Sequence, residues 1–218
     1  GYNHDGTLFS SLKEFLWQSA EINRFIGEWG VTGFSSPSMF HNLDWMHQIN
    51  ISYDISTFDT DPFEPQPDGA GTIFPFIVKD SITQHTYVEL PYTLCQDFTL
   101  FIIMEEKDIS IWKKKLDWIA RHGGMALVNT HPDYMNFDNR KCSREEYHVS
   151  LYEELLTYVQ TVYKEQYWHA KPMEVAAYVK KKINNSVPLN LDFPSPGLGS
   201  VERVSEGKLH IMTDSNLL

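Results

Sequence analysis

Apolar positions along the chain recur in two rhythms, one near 3.6 residues and one near 2, and stretches of each kind alternate. Ser11-Leu-Lys-Glu14 has the form of a capping box, in which Ser and Glu side chains satisfy the first backbone N–H groups of a helix. Leu12, Phe15, Leu16, Phe25, Ile26 and Trp29 then follow a helical rhythm, and Gly30 suits the left-handed position that ends it. Val31–Phe34 reads as a strand. Ser36-Pro37 looks like the start of a second helix, with Met39, Phe40, Leu43, Met46 and Ile49 on one face. Ile51–Ser56 alternates at period two, and Thr86–Pro91 is a further strand, with Ile73–Val78 a possible short extended segment. Asp108 caps a helix that turns Ile109, Trp112, Leu116 and Ile119 inward and ends at Gly123-Gly124. Met125–Asn129 is a short strand, apolar up to its last residue, as buried parallel strands are. Ser143-Arg-Glu-Glu146 repeats the capping-box pattern ahead of a helix carrying Leu151, Leu155, Tyr158 and Val162, and Pro172 opens another helix through Ile183. Alternation of this kind predicts an α/β architecture with parallel strands.

Two stretches break the rhythm. Residues 57–71 are rich in Asp, Pro and Gly and too long for a plain connector, which marks a functional loop. From residue 184 the composition shifts to Asn, Pro, Ser and Gly, so 1–183 reads as the domain and 184–218 as a linker or tail, with Lys208–Met212 a lone strand.

Charge narrows the function. Among 218 residues, 29 acidic side chains stand against 18 basic ones, for a formal charge of −11. Nucleic acid, whose phosphates demand clustered Lys and Arg, is a poor partner for such a chain. The basic run Lys113–Lys115 belongs to a solvated helix face. No segment has the roughly 20 consecutive apolar residues that span a bilayer. Two cysteines make neither a disulfide framework nor a thiolate zinc site.

Chemistry gathers where strands end. Val31–Phe34 ends in Ser35-Ser36-Pro37, Ile51–Tyr53 runs into Asp54 and on to Asp59 and Asp61, and Met125–Asn129 runs into Thr130-His131-Pro132-Asp133. Asn3-His4-Asp5 adds a fourth polar cluster in the opening loop. In a β/α barrel such rims hold the functional groups, and an imidazole with several carboxylates suits acid–base or metal-assisted hydrolysis. Taken singly, each has an ordinary explanation. His131 could be a satisfied buried histidine, Asp54 a turn residue and His4 a surface residue. His41 and His47, without convergent partners in the sequence, read as hydrated surface positions, and Trp45, Trp112 and Trp118 as core.

Taken in order, the motifs resemble the NodB-homology family of carbohydrate and related amide deacetylases. The resemblance runs from about residue 1 to residue 183 and is carried by Thr32-Gly-Phe-Ser-Ser-Pro37, Ile51-Ser-Tyr-Asp-Ile-Ser-Thr-Phe-Asp59 and Ala126-Leu-Val-Asn-Thr-His-Pro132. It implies a distorted (β/α)7 barrel lacking its first strand or strands in this chain, and hydrolysis of N-acetyl groups on a carbohydrate. It makes His131 the general acid, with Asp54 or a neighbour stabilising the imidazolium, and Ser35, Pro37, Asp59 and Asp133 substrate-side residues. A divalent metal, zinc in most of the family, is implied with His4 as one ligand, the remaining ligands and the base falling before Gly1. Ser35 stands where the family usually has an Arg that orients the base. The resemblance therefore also admits an inactive fold that binds glycan or serves as a scaffold, or a member acting on a small non-sugar amide. Open barrel edges predict self-association.

Overall fold

The computed structural model describes residues 6–60, 69–138, 142–184, 200–203 and 209–212. Helix α1 spans Leu12–Trp29; Ser11 Oγ accepts from the Glu14 N–H at 3.1 Å, and Gly30 closes it in the left-handed region at φ 63°. Its buried face is narrower than the apolar rhythm predicts. Phe15, Gln18, Ser19 and Ile26 point inward, whereas Leu12, Leu16 and Trp29 are exposed.

The predicted second helix does not form. Residues 36–49 contain two short 3-10 turns, Pro37–Met39 and Trp45–Gln48. Ser38 and Met39 both take positive φ, 52° and 55°, which no α-helix accommodates. The Asn42 side chain then accepts from the Trp45 N–H at 3.1 Å and starts the second turn. Met46 and Ile49 are buried as expected, reached by a different backbone path.

Strands β1 (Gly33–Phe34), β2 (Tyr53–Asp54), β3 (Phe76–Lys79) and β4 (Thr86–Glu89) form one sheet in the order β1-β2-β4-β3. β1, β2 and β4 run parallel, and β3 returns antiparallel along β4. The register places Phe34, Asp54 and Glu89 in one row. Gly33 permits the close β1–β2 approach, because a Cβ there would lie 2.1 Å from the Tyr53 ring. Leu8, Phe15, Ile26, Met46, Ile49, Ile51 and Tyr87 make the core beneath. Helix α4 (Pro172–Asn184) packs against β2 and β4.

These elements belong to one compact unit, Gly1–Pro91 with Ala170–Leu189 and Glu202–His210. A second unit is built on Tyr92–His169. The second contains α2 (Ser110–Arg121), β5 (Met135–Asn136) paired in parallel with β6 (Tyr147–His148), and α3 (Ser150–Val162). Trp112, Leu116, Ile119, Leu100, Phe101 and Leu155 are buried in it, while Trp118 is exposed. The Ser143–Glu146 box does bond, with the Ser143 N–H donating to Glu146 Oε2 at 2.8 Å, but it shapes a turn before β6, and α3 begins only at Ser150. Ser200–Arg203 (β7) pairs with Leu209–Met212 (β8), so the predicted lone strand has a partner. Among the described residues the three sheets do not close into a barrel.

Candidate active site

His131 is delivered by a short ladder in the second unit. The Thr93 and Leu94 N–H groups both donate to the Leu127 carbonyl, at 2.9 and 3.0 Å, and Leu94 bridges Val128 in parallel. Thr93 Oγ1 donates to the Met125 carbonyl and accepts from the Leu127 N–H, which stitches the two segments a second time. Asn129 Nδ2 donates to Gln96 Oε1 at 2.7 Å. Three residues past the bridge on each chain segment lie His131 and Asp97.

Asp97 is fully buried, and its carboxylate accepts four hydrogen bonds. Oδ1 takes the Phe98 N–H at 2.8 Å and His131 Nδ1 at 2.7 Å; Oδ2 takes the His131 backbone N–H at 2.7 Å and the Tyr147 hydroxyl at 3.0 Å. All four lone-pair positions are thereby used. The carboxylate grips His131 by both backbone and ring, so the imidazole is fixed in position and in tautomer, its Nδ1 carrying the proton. Proton exchange with any other group then falls to Nε2, on a side chain that is 32% exposed. Burial and the neighbouring Asp97 charge hold the Tyr147 hydroxyl far above its ordinary pKa, so it remains a donor. Tyr134 lies edge-on to His131 at 5.4 Å and tilted against Phe98 at 5.0 Å, giving the imidazole an aromatic border. Pro132 begins the 3-10 turn after His131, and Asp133 on that turn is exposed.

The carboxylate bonded to His131 is thus Asp97, and the expectation that Asp54 or a residue beside it fills that role is corrected. Asp97 sits 34 positions before its histidine, at the head of the apolar run Phe98–Met104. The run itself is a π-helix, Phe98–Ile103, capped by the Asp97 side chain.

Asp54, in the first unit, has other partners. Its Oδ1 accepts from Ser56 Oγ at 2.8 Å and its Oδ2 from the Ser56 N–H at 3.3 Å; Ser56 Oγ in turn accepts from the Ser36 N–H at 2.8 Å. Across the row, Glu89 Oε1 accepts from the Thr57 N–H and hydroxyl at 3.0 and 2.6 Å. Both carboxyls are fully buried, and Glu89 Oε2 has no donor. Two buried carboxyls side by side cannot both ionise. The arrangement is satisfied if Glu89 keeps its proton and donates it to Asp54. Burial, and after it the Asp54 charge, raises the Glu89 carboxyl well above the carboxylate range; burial likewise pushes Asp54 up to about 7. A Glu set between Val88 and Leu90 in an otherwise apolar part of a strand was the sequence signal for this pair.

The remaining expected residues have other surroundings. Ser35 is exposed, and the neighbouring Ser36 rather than an arginine reaches the Asp54 network. Pro37 is buried at the start of its turn. Asp59 is buried in the folded-back loop, where the Gly71 N–H donates to its carbonyl at 3.1 Å and a Cβ on Gly69 would fall 2.3 Å from that same oxygen. His41, expected at the surface, is buried with Nδ1 at 3.2 Å from the Met39 carbonyl. His4, Asp5 and Asp61 lie outside the described residues. Among the described residues no group of three or more His, Cys, Asp or Glu side chains could hold a metal ion. The described residues do not group the three protein ligands a catalytic zinc needs. Among the described residues, no helix is long and apolar enough to cross a membrane.

No family model, no curated protein and no solved structure matches the chain.

Proposed function

We propose that the chain is a polysaccharide deacetylase-like hydrolase of N-acyl amides on a carbohydrate, in which His131 and Asp97 form the proton-transfer unit. The observation that carries this reading is the buried Asp97 carboxylate bonded to both the ring and the backbone of a partly exposed His131. Amide cleavage requires that the departing nitrogen be protonated, because an amide anion is too poor a leaving group. An imidazolium can provide that proton from Nε2 while Asp97 stabilises the positive ring, a role worth about 10²–10⁴ in rate. Tyr147 and the Phe98 N–H hold the carboxylate in place. The ordered strand-end motifs supply the substrate class and the barrel expectation by resemblance, which is an analogy of fold and not a chemical demonstration. The divalent metal of that resemblance remains tied to His4.

The test is acetate release from N-acetylglucosamine oligomers by the full chain, with small N-acyl amides in parallel. Release from the oligomers supports the reading; release from the small amides alone moves the substrate class; no release from either sinks the hydrolase.

A second reading is an inactive domain that binds glycan. It is favoured by the Asp54–Glu89 pair, which is enclosed and spends its hydrogen bonds on Ser56 and Thr57. Oligomer binding that persists in a chelator without turnover would select it.

A further inference from the structure

His47 and His85 come together from segments 38 residues apart, the turn Trp45–Gln48 and the end of the β3–β4 connection. Their Nδ1 atoms lie 3.3 Å apart, with the rings nearly perpendicular at 83°. As a hydrogen bond this is long and serves one proton between two bases. As a chelate it is well shaped, since two imidazole nitrogens bound at about 2.0–2.1 Å to a tetrahedral ion stand about 3.3 Å apart. His47 Nε2 is buried without a hydrogen-bond partner, so Nδ1 is the ring nitrogen that can reach an ion.

We infer that His47 and His85 form a two-histidine site for a divalent transition metal of the zinc, copper or nickel class, each ligating through Nδ1. Imidazole suits these ions, whereas magnesium and calcium prefer oxygen. The surroundings fit a cation. Asp80 and Asp44 act on His47 with negative charge, and the Tyr87 ring packs edge to face against His47 at 5.1 Å, its hydroxyl donating to the Leu43 carbonyl. Ligation requires neutral imidazole, and burial, the largest influence on His47, keeps its pKa below the ordinary value. His85 is exposed, which leaves an entry path. With no third His, Cys, Asp or Glu placed to complete the set among the described residues, water fills the other positions. Such a site binds exchangeably; it is not a structural zinc.

The experiment is Zn2+ titration of the full chain by calorimetry at pH 7.5 beside H47Q and H85Q, with Cu2+ paramagnetic resonance as a second readout. The account expects each variant to lose at least about tenfold in affinity at one site, the lower end of what even outer-sphere losses cost. The Cu2+ spectrum should show two imidazole nitrogens in the wild type and one in H85Q. Acidification should weaken binding as protons compete for the imidazole nitrogens. H85Q removes an exposed side chain and tests the site even if H47Q fails to fold. Affinity and spectrum unchanged in H85Q, or no Zn2+ bound by the wild type, overturns the inference.

Discussion

Replacing Asp97 by Asn tests the proposed proton-transfer unit in a graded way. The substitution keeps the shape and removes the charge. Every group around the Asp97 carboxylate is a donor, so the amide's one oxygen can satisfy two of the four. If the new NH2 faces the Oδ2 side, Tyr147 can rotate to accept from it, while the His131 backbone N–H is left without a partner. If it faces the Oδ1 side, the Phe98 N–H is orphaned and the His131 ring must accept, which puts its proton on Nε2. An unsatisfied buried donor costs about 1–3 kcal/mol, and a chain of this size loses about 2–4 °C of Tm per kcal/mol. Activity should fall further than stability, by about 10²–10⁴ in kcat, because the neutral partner no longer supports a positive ring. Acetate release and thermal denaturation by circular dichroism, measured on the same preparation, separate the two effects. D97N that retains kcat within threefold of wild type while folded would refute the assignment.

Other consequences follow from the same geometry. Tyr147→Phe removes one of four bonds to Asp97 and leaves the His131 contact; it should cost about 1.5–3 kcal/mol in denaturant unfolding, with a smaller change in kcat than D97N. The Asp54–Glu89 pair makes stability depend on pH. Both carboxyls are raised in the folded protein, so the native state holds more protons than the unfolded chain above their ordinary values of 3.8 and 4.5. Stability should therefore fall as pH rises through about 7, approaching about 1.4 kcal/mol per pH unit for each proton held. Glu89→Gln keeps the acceptor for Thr57 and the donor toward Asp54; it should flatten that slope and leave the variant more stable than wild type at pH 8, as urea unfolding at pH 5 and 8 will show. Gly33→Ala drives a Cβ into the Tyr53 ring and should cost about 1–3 kcal/mol by the same assay. Among the described residues β1 has a partner on one side only and the sheets are unclosed, which supports the proposal that the chain self-associates; sedimentation should give an assembly larger than a monomer, and a clean monomer would remove it.

The sequence was legible where structure is local. Ser11 and Gly30 bound α1 because capping is a matter of a few neighbouring residues, and Pro172 opens α4 for the same reason. Of the strand read at Met125–Asn129 the structure keeps a single bridge, Val128 to Leu94, with His131 just beyond it. Convergence over long separations was not legible. Asp97 and His131, Glu89 and Asp54, and His85 and His47 stand 34, 35 and 38 positions apart, and no periodicity encodes which strand end meets which. The failed second helix has a different cause. Its apolar spacing was helical, but left-handed Ser38 and Met39 redirect the backbone, a choice that tertiary packing makes against the local pattern. The proposals of a barrel and of a deacetylase activity rest on motif order, and beside them the structure has a histidine held by a carboxylate that the motifs did not name.

The double variant D97N/H131Q, assayed for acetate release beside each single variant, tests the central claim most directly. Residues that act as one unit are strongly non-additive. The account predicts that the double variant is no slower than H131Q alone. Losses that multiply, or an H131Q enzyme as fast as wild type, would contradict it.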